Sequence, residues 1–202
     1  MEISVYKLKN KFQQLLMPLC QKLNDLGFTP NQITILTLIY SIVFSFIIYK
    51  FGHYRWILLL IPVFFLKRMA LNALDGMIAN KFNKKTKLGM FLNEICDVVA
   101  DSIFYYCFFS ITHINQVYFL IFIFLSILTE YVGVTATQVD NKRHYEGPMG
   151  KSDRAVLVSI LGILIFFKVK LLYINIVFII GMILLILTIY NRIKNSLENS
   201  ID

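Results

Sequence analysis

The sequence predicts an all-α integral membrane protein, with six transmembrane helices preceded by an N-terminal amphipathic surface helix. Three observations predict it. Of the 202 residues, 57% are apolar, against roughly 45–50% in soluble domains, and the mean hydropathy is +0.67. The apolar residues gather in five or six stretches of roughly 16–25 residues, close to the ~20 that span a bilayer. The basic residues fall in alternate gaps. Lys7, Lys9, Lys11 and Lys22 precede the first stretch; Lys81, Lys84, Lys85 and Lys87 share one loop; Lys142, Arg143, Lys151 and Arg154 share another; Arg192 and Lys194 come near the end. The opposite loops hold only Lys50, Arg55, Lys168 and Lys170. By the positive-inside rule both termini lie in the cytoplasm, and six spans satisfy the alternation. The same distribution argues against nucleic acid as the reason for the net charge of +8.

The elements follow in order within a single membrane-embedded domain, residues 1–202. Residues 4–26 read as an amphipathic helix with Val5, Leu8, Phe12, Leu15, Leu16, Leu19 and Leu23 on one face. Such a helix lies on the membrane surface or packs on the cytoplasmic side of the bundle, and the spacing leaves both open. GFTPNQIT then starts the first span, with Thr29 as N-cap and Pro30 in the first turn. The spans are expected at about 31–51, 56–81, 88–112, 117–138, 153–169 and 171–193. A short basic loop joins the second to the third. A longer polar loop at 139–152 carries Gly147, Pro148 and Gly150 as turn formers. No internal repeat or signal peptide is apparent. Cys20, Cys96 and Cys107 lack paired or metal-type spacing.

Ionisable groups at membrane depth are costly and normally face the protein interior, so they carry a presumption of function. Here they concentrate: Lys67, Arg68, Asn72 and Asp75 in span two, Asn93, Glu94, Asp97 and Asp101 in span three, and Glu130 in span four. Arg68, Asn72, Asp75 and Ala79 share one helical face, as do Asn93, Asp97 and Asp101. The short loop makes spans two and three antiparallel neighbours. Counted inward from that loop, Asn72 and Asp97 both lie roughly 13 Å deep, Asp75 sits nearer the cytoplasm beside Asn93, and Arg68 meets Asp101 at roughly 19 Å as a possible ion pair. The upper nest offers oxygen ligands without imidazole or thiolate, which suits a hard cation such as Mg²⁺. Gly76 removes a side chain beside Asp75, so a phosphate can approach the backbone. Metal, phosphate and nearby lysines point to phosphoryl-group chemistry.

These residues resemble the CDP-alcohol phosphotransferase family, whose pattern is D-x-x-D-G-x-x-A-R-x₈-G-x-x-x-D-x-x-x-D. The chain reads N-A-L-D-G-M-I-A-N, eight residues, then G-M-F-L-N-E-I-C-D. Asp75, Gly76, Ala79, Gly89 and Asp97 match. Asn72 and Asn93 stand where two of the acids are expected, and Asn80 where the Arg is. GFTPNQIT is similar to the family's lead-in to the first span, and GKSDR at 150–154 resembles its later basic motif.

The resemblance implies a divalent-metal-dependent transferase of phospholipid synthesis. A small alcohol attacks the lipid-side phosphate of a CDP-alcohol, typically CDP-diacylglycerol or a related nucleotide lipid, and CMP leaves. It implies metal binding (Mg²⁺ or Mn²⁺, two ions) by Asn72, Asp75, Asn93 and Asp97, and general-base catalysis by Asp97. It implies a CDP site at Gly76, Ala79, Asn80 and Gly89. Lys151 and Arg154 are candidates for a phosphate on the acceptor, or are ordinary positive-inside charge. Glu94, Asp101 and Glu130 are candidate auxiliary acids for the two missing charges. The resemblance further implies a homodimer among membrane lipids, although no small-xxx-small face stands out, and a bacterial inner membrane is the expected location. Two other readings compete: a weakened or inactive relative that binds a nucleotide lipid or a membrane partner, and a cation-coupled carrier.

Overall fold

The computed structural model describes residues 3–199, with side chains described from Lys11 onward. The positions assigned to Val5 and Leu8 on the amphipathic face therefore lie outside the described side chains. Helix α1 spans Ile3–Asp25, α2 Pro30–Phe51, α3 Leu60–Lys81, α4 Lys87–Ser110, α5 Gln116–Thr135, α6 Thr137–Asp140, α7 Lys151–Phe166 and α8 Leu171–Asn199, with a 3₁₀ segment at Arg55–Leu59. No strand occurs among the described residues.

Among the described residues four helical segments are long and apolar enough to cross a membrane: Pro30–Phe51, Arg55–Lys81, Gln116–Asp140 and Leu171–Asn199. This is fewer than the six expected, and the reason is polar content and length. Helix α4 carries Lys87, Glu94, Asp97 and Asp101; α7 has 16 residues and opens on Lys151, Asp153 and Arg154. Large apolar side chains such as Ile39, Phe46, Leu66, Phe124, Ile180 and Ile186 are exposed, as on helices solvated by lipid. The chain is an integral membrane protein.

The chain divides into two compact units. Unit 1 comprises residues 1–41 and 66–99. Its helix starts are fixed locally. Thr29 and Gln32 form a reciprocal cap on α2: the Thr29 amide donates to Gln32 Oε1 at 2.9 Å and the Gln32 amide to Thr29 Oγ1 at 3.3 Å. The Gly89 amide donates to Thr86 Oγ1 at 2.9 Å at the start of α4. The α1 face bearing Leu16, Met17, Cys20 and Leu23 packs on Ile33, Leu74, Met77 and Ile78, while Leu15 and Leu19 point outward. The single apolar face expected of this helix is therefore split: Leu16 and Leu23 pack on α2 and α3, the bundle-packed alternative, while Leu15 and Leu19 stay exposed because the buried arc is centred on Cys20.

Unit 2 comprises residues 42–65 and 100–202. Helix α5 packs on α8, and α7 on α8 and the 3₁₀ segment. An aromatic column runs through its interior: Phe44 stacks on Phe64 at 4.3 Å, Phe64 on Phe104 at 5.0 Å, and Phe109 and Phe122 each meet Phe178 at 5.0 and 5.1 Å. In lipid, where apolar burial drives helix association little, such contacts supply dispersion and quadrupole attraction.

Candidate active site

Unit 1 contains a cavity of about 390 Å³, within the usual size of small-ligand sites. Helix α2 contributes Pro30, Asn31 and Thr34; α3 contributes Asn72, Asp75, Gly76, Ala79 and Asn80; the α3–α4 turn contributes Lys84, Lys85 and Thr86; α4 contributes Gly89, Met90 and Asn93. Seven of the residues expected at the site, Asn72, Asp75, Gly76, Ala79, Asn80, Gly89 and Asn93, therefore meet on one wall system.

The two glycines act differently. A Cβ built at Gly76 meets nothing within 4 Å, so this position faces open cavity. A Cβ at Gly89 would come within 2.6 Å of Asn31 Oδ1 and 2.9 Å of Thr86 Oγ1. Glycine there lets α4 approach the start of α2.

Asp75 is 5% exposed and accepts a 2.9 Å hydrogen bond from Thr34 Oγ1. Asp97 stands one layer behind the cavity wall. The Asn72 side-chain amide donates to Asp97 Oδ1 at 2.9 Å. The buried Arg68 guanidinium lies 3.6 Å from the same oxygen and donates to the Asp97 backbone carbonyl at 3.3 Å. The depth register that placed Asn72 beside Asp97 is thus observed directly. Asn80, in the place of the family's Arg, donates to the Gly76 carbonyl of its own helix at 2.7 Å. Lys84 reaches Asn24 Oδ1 at 2.7 Å, tying the end of α1 to the cavity rim.

The donors are carboxylate, amide and hydroxyl oxygens, a set that fits a hard divalent cation. Among the described residues no group of three or more His, Cys, Asp or Glu side chains converges as a metal site. Two carboxylates, one of them facing Arg68, balance one divalent ion; a second would depend on charge brought by a bound diphosphate.

Sequence reasoning missed Thr34, Asn31 and Thr86. The usable signal was Thr34, Thr37, Ser41 and Ser45, a stripe of small hydroxyl residues at helical spacing, all buried. It is also the small-residue face not recognised from the sequence, and it lies inside the chain.

The remaining candidates are used in unit 2 or stand apart from the cavity wall. Glu94 is half-buried and does not line the cavity. Lys151 is the first residue of α7, partly exposed. Arg154 is 1% exposed and is held by Glu130 Oε1 at 2.8 Å, Asp101 Oδ2 at 3.3 Å and Thr129 Oγ1 at 3.1 Å. Glu130 also pairs with Arg143 at 2.8 Å and faces Arg192 at 4.0 Å. Beside this cluster, His144 bonds Asp140 at 2.7 Å and also Glu146, while Asn195 of α8 donates to Glu146 at 3.0 Å. The contact with Glu146 raises the His144 pKa above its usual value, against the opposing effect of burial, and Asp140 adds to the rise. Burial pushes the Glu146 carboxyl up, but its bonds to His144, its own backbone and Asn195 bring the net shift downward.

Fold and cavity define a helical membrane protein with a buried Asp75 flanked by half-buried Asn72 and Asn93 in a cavity with lysines at its rim. The chain belongs to the CDP-alcohol phosphatidyltransferase family, whose model matches residues 28–190. It is 35% identical over 201 residues to the inner membrane protein YnbA of Escherichia coli (strain K12), covering 99% of this chain and 100% of that protein. Its fold is similar to that of the Mycobacterium tuberculosis phosphatidylinositol phosphate synthase PgsA1. The crystal structure with CDP-DAG bound matches with a TM-score of 0.74 and 19% identity, covering 91% of this chain and 94% of that one. The structure in complex with manganese and citrate matches with a TM-score of 0.72 and 18% identity, covering 89% and 87%.

Proposed function

We propose that the chain transfers a phosphatidyl group from CDP-diacylglycerol, or a related CDP-alcohol, to a small hydroxyl acceptor with release of CMP. The observation that carries this reading is the convergence of Asn72, Asp75 and Asn93 on one cavity whose wall is left open at Gly76. In the reaction the acceptor oxygen bonds to the phosphorus next to the lipid. The bond from that phosphorus to the bridging oxygen breaks, and CMP leaves with the electron pair.

The side-chain oxygens of Asn72, Asp75, Asn93 and Asp97 would hold Mg²⁺ or Mn²⁺, which neutralises diphosphate charge and the developing charge on the leaving group. Thr34 fixes the Asp75 carboxylate by its hydrogen bond. Gly76 and Ala79 admit the cytidine diphosphate, and Lys84 and Lys85 attract it to the rim. Asp97 takes the acceptor's proton. It is oriented by Asn72 and Arg68, and must exchange its bond from Asn72 for one from the acceptor. A carboxylate is a weak base at neutral pH, so positioning carries much of the rate.

The same proposal places the chain in a bacterial inner membrane with cytoplasmic termini, as a homodimer with six spans. Pairing of Arg154 with Asp101 and Glu130 supports spanning by α7, because its charge is compensated internally. Lys151 remains the candidate for an acceptor phosphate, with the Arg154 guanidinium already engaged.

Gly76→Leu tests the reading. A side chain there enters open space, so the fold should survive while binding of CDP-diacylglycerol to purified protein is lost. Undiminished binding would contradict the site. The Asn72–Asp97 bond also favours a second reading, binding without turnover, because it occupies an oxygen of the expected base. CMP release measured beside binding separates the two.

A further inference from the structure

Unit 2 holds a second, larger cavity of about 590 Å³. It lies among the 52–55, 111–114 and 165–174 segments, the loop ends that the charge pattern assigns to the non-cytoplasmic side. Its floor is apolar, including Leu58, Ile114 and Ile174. Its polar lining includes Arg55, Lys168, His53 and His113. No Asp or Glu occurs between Asp25 and Asp75, between Asp101 and Glu130, or between Asp153 and Glu198. The segments lining this cavity therefore contain cations and no carboxylate at all.

Lys168 adds an independent observation. Helix α7 ends in a Schellman motif: the Val169 amide donates to the Leu164 carbonyl and the Lys168 amide to that of Ile165, both at 3.1 Å. Lys168 occupies the left-handed position of that motif, with φ of 58°, where glycine or asparagine is the comfortable choice. The other positive-φ side chains, Asn83 and Asn141, obey that preference. A lysine kept in an unfavourable backbone conformation, aimed at a cavity without acids, is a reason to look for an anion.

Tyr54, Trp56 and Phe167 are 61%, 73% and 68% exposed around this end, and Trp56 packs on Phe166 at 4.9 Å. Such rings sit at the level of lipid headgroups. An anion here meets headgroup depth, a cationic rim and an apolar floor together.

We infer that this cavity binds the phosphate headgroup of an anionic glycerophospholipid, with Arg55 and Lys168 on the phosphate and an acyl chain over the apolar floor. The site is separate from the proposed transfer site and its failure would leave that reading intact. The test uses the purified full chain in detergent and native mass spectrometry with dioleoyl phosphatidylglycerol, dioleoyl phosphatidylcholine and inorganic phosphate. Phosphatidylglycerol should bind in preference to phosphatidylcholine, and millimolar phosphate should not displace it. Arg55→Gln with Lys168→Gly should weaken binding about tenfold or more, tenfold being the low end for a single charged hydrogen bond. Glycine suits the backbone at 168, so this loss cannot come from a misfolded turn. Lys50→Gln with Lys170→Gln, two charges outside the cavity lining, should change little. Equal loss in that control would show diffuse surface attraction and overturn the site. Displacement by inorganic phosphate would overturn the lipid as its ligand.

Discussion

Asn72 donates its side-chain amide to Asp97 Oδ1 at 2.9 Å, on the oxygen that Arg68 also faces at 3.6 Å. An amide thus stands where the family's pattern has a carboxylate, and it satisfies Asp97 without metal. Asn72→Asp places two carboxylates at hydrogen-bond range, where like charges repel. The expected outcome is a lower Tm in chelator and a larger gain in Tm on adding Mg²⁺ than the parent shows. Thermal unfolding in detergent with and without Mg²⁺ measures both, and equal Mg²⁺ responses would argue against Asn72 as a ligand.

The Thr34–Asp75 bond is a buried hydroxyl–carboxylate contact. Thr34→Val removes the donor at nearly constant shape, and such a bond to a charged group is worth about 1.5–3 kcal/mol. Turnover should fall about tenfold or more, while Thr34→Ser stays near the parent. Initial rates of CMP release distinguish them.

The two carboxylates near the cavity predict how many ions bind. Mn²⁺ titration followed by electron paramagnetic resonance should show one bound ion in the free protein, and a second only when a CDP-alcohol supplies its diphosphate. Two ions without nucleotide would mean that acids beyond Asp75 and Asp97 contribute.

Arg154 is enclosed by Glu130 and Asp101. Removing one partner of a buried pair leaves the other charge uncompensated, at about 3–5 kcal/mol. Arg154→Leu should therefore unfold at markedly lower denaturant, and Asp101→Asn in the same chain should restore part of the loss, because Glu130 keeps its pairing with Arg143. If Arg154→Leu stays as stable as the parent and only acceptor affinity drops, the residue is a phosphate binder instead.

His144 gives a pH dependence. Its pKa is raised above 6.5 by Glu146 first and then Asp140. A group raised on folding contributes fully below its unfolded value and loses that contribution as pH rises through the folded one. Glu146, lowered from 4.5, contributes above that value and loses its contribution as pH falls through its folded pKa. The 140–146 clamp is thus strongest between the ordinary Glu and His values. Tm should decline as pH rises above 6.5, and His144→Ala should flatten that slope.

Much of the site was legible because helical spacing and depth are geometric. Counting rise per residue from a short loop is enough to set Asn72 beside Asp97. Thr34 was not legible in the same way: a threonine in an apolar span usually bonds its own helix, as Thr37 does to Ile33 at 2.8 Å and as Thr34 itself can to the Pro30 carbonyl at 3.1 Å, and only the fold brings Asp75 within 2.9 Å of the same hydroxyl. Arg154 read as a loop-proximal charge because its partners Glu130 and Asp101 are 24 and 53 residues away. The expected six spans differ from the four segments long and apolar enough among the described residues, because α4 and α7 carry charges that count against spanning by composition.

The most direct test of the central claim is CMP release by purified protein from CDP-diacylglycerol and Mg²⁺, across a panel of small alcohols and phosphorylated alcohols. The account predicts release that requires one acceptor class and is lost in Asp75→Ala and Asp97→Ala, with both variants still folded. No release with any acceptor, or release unchanged in either variant, would contradict it.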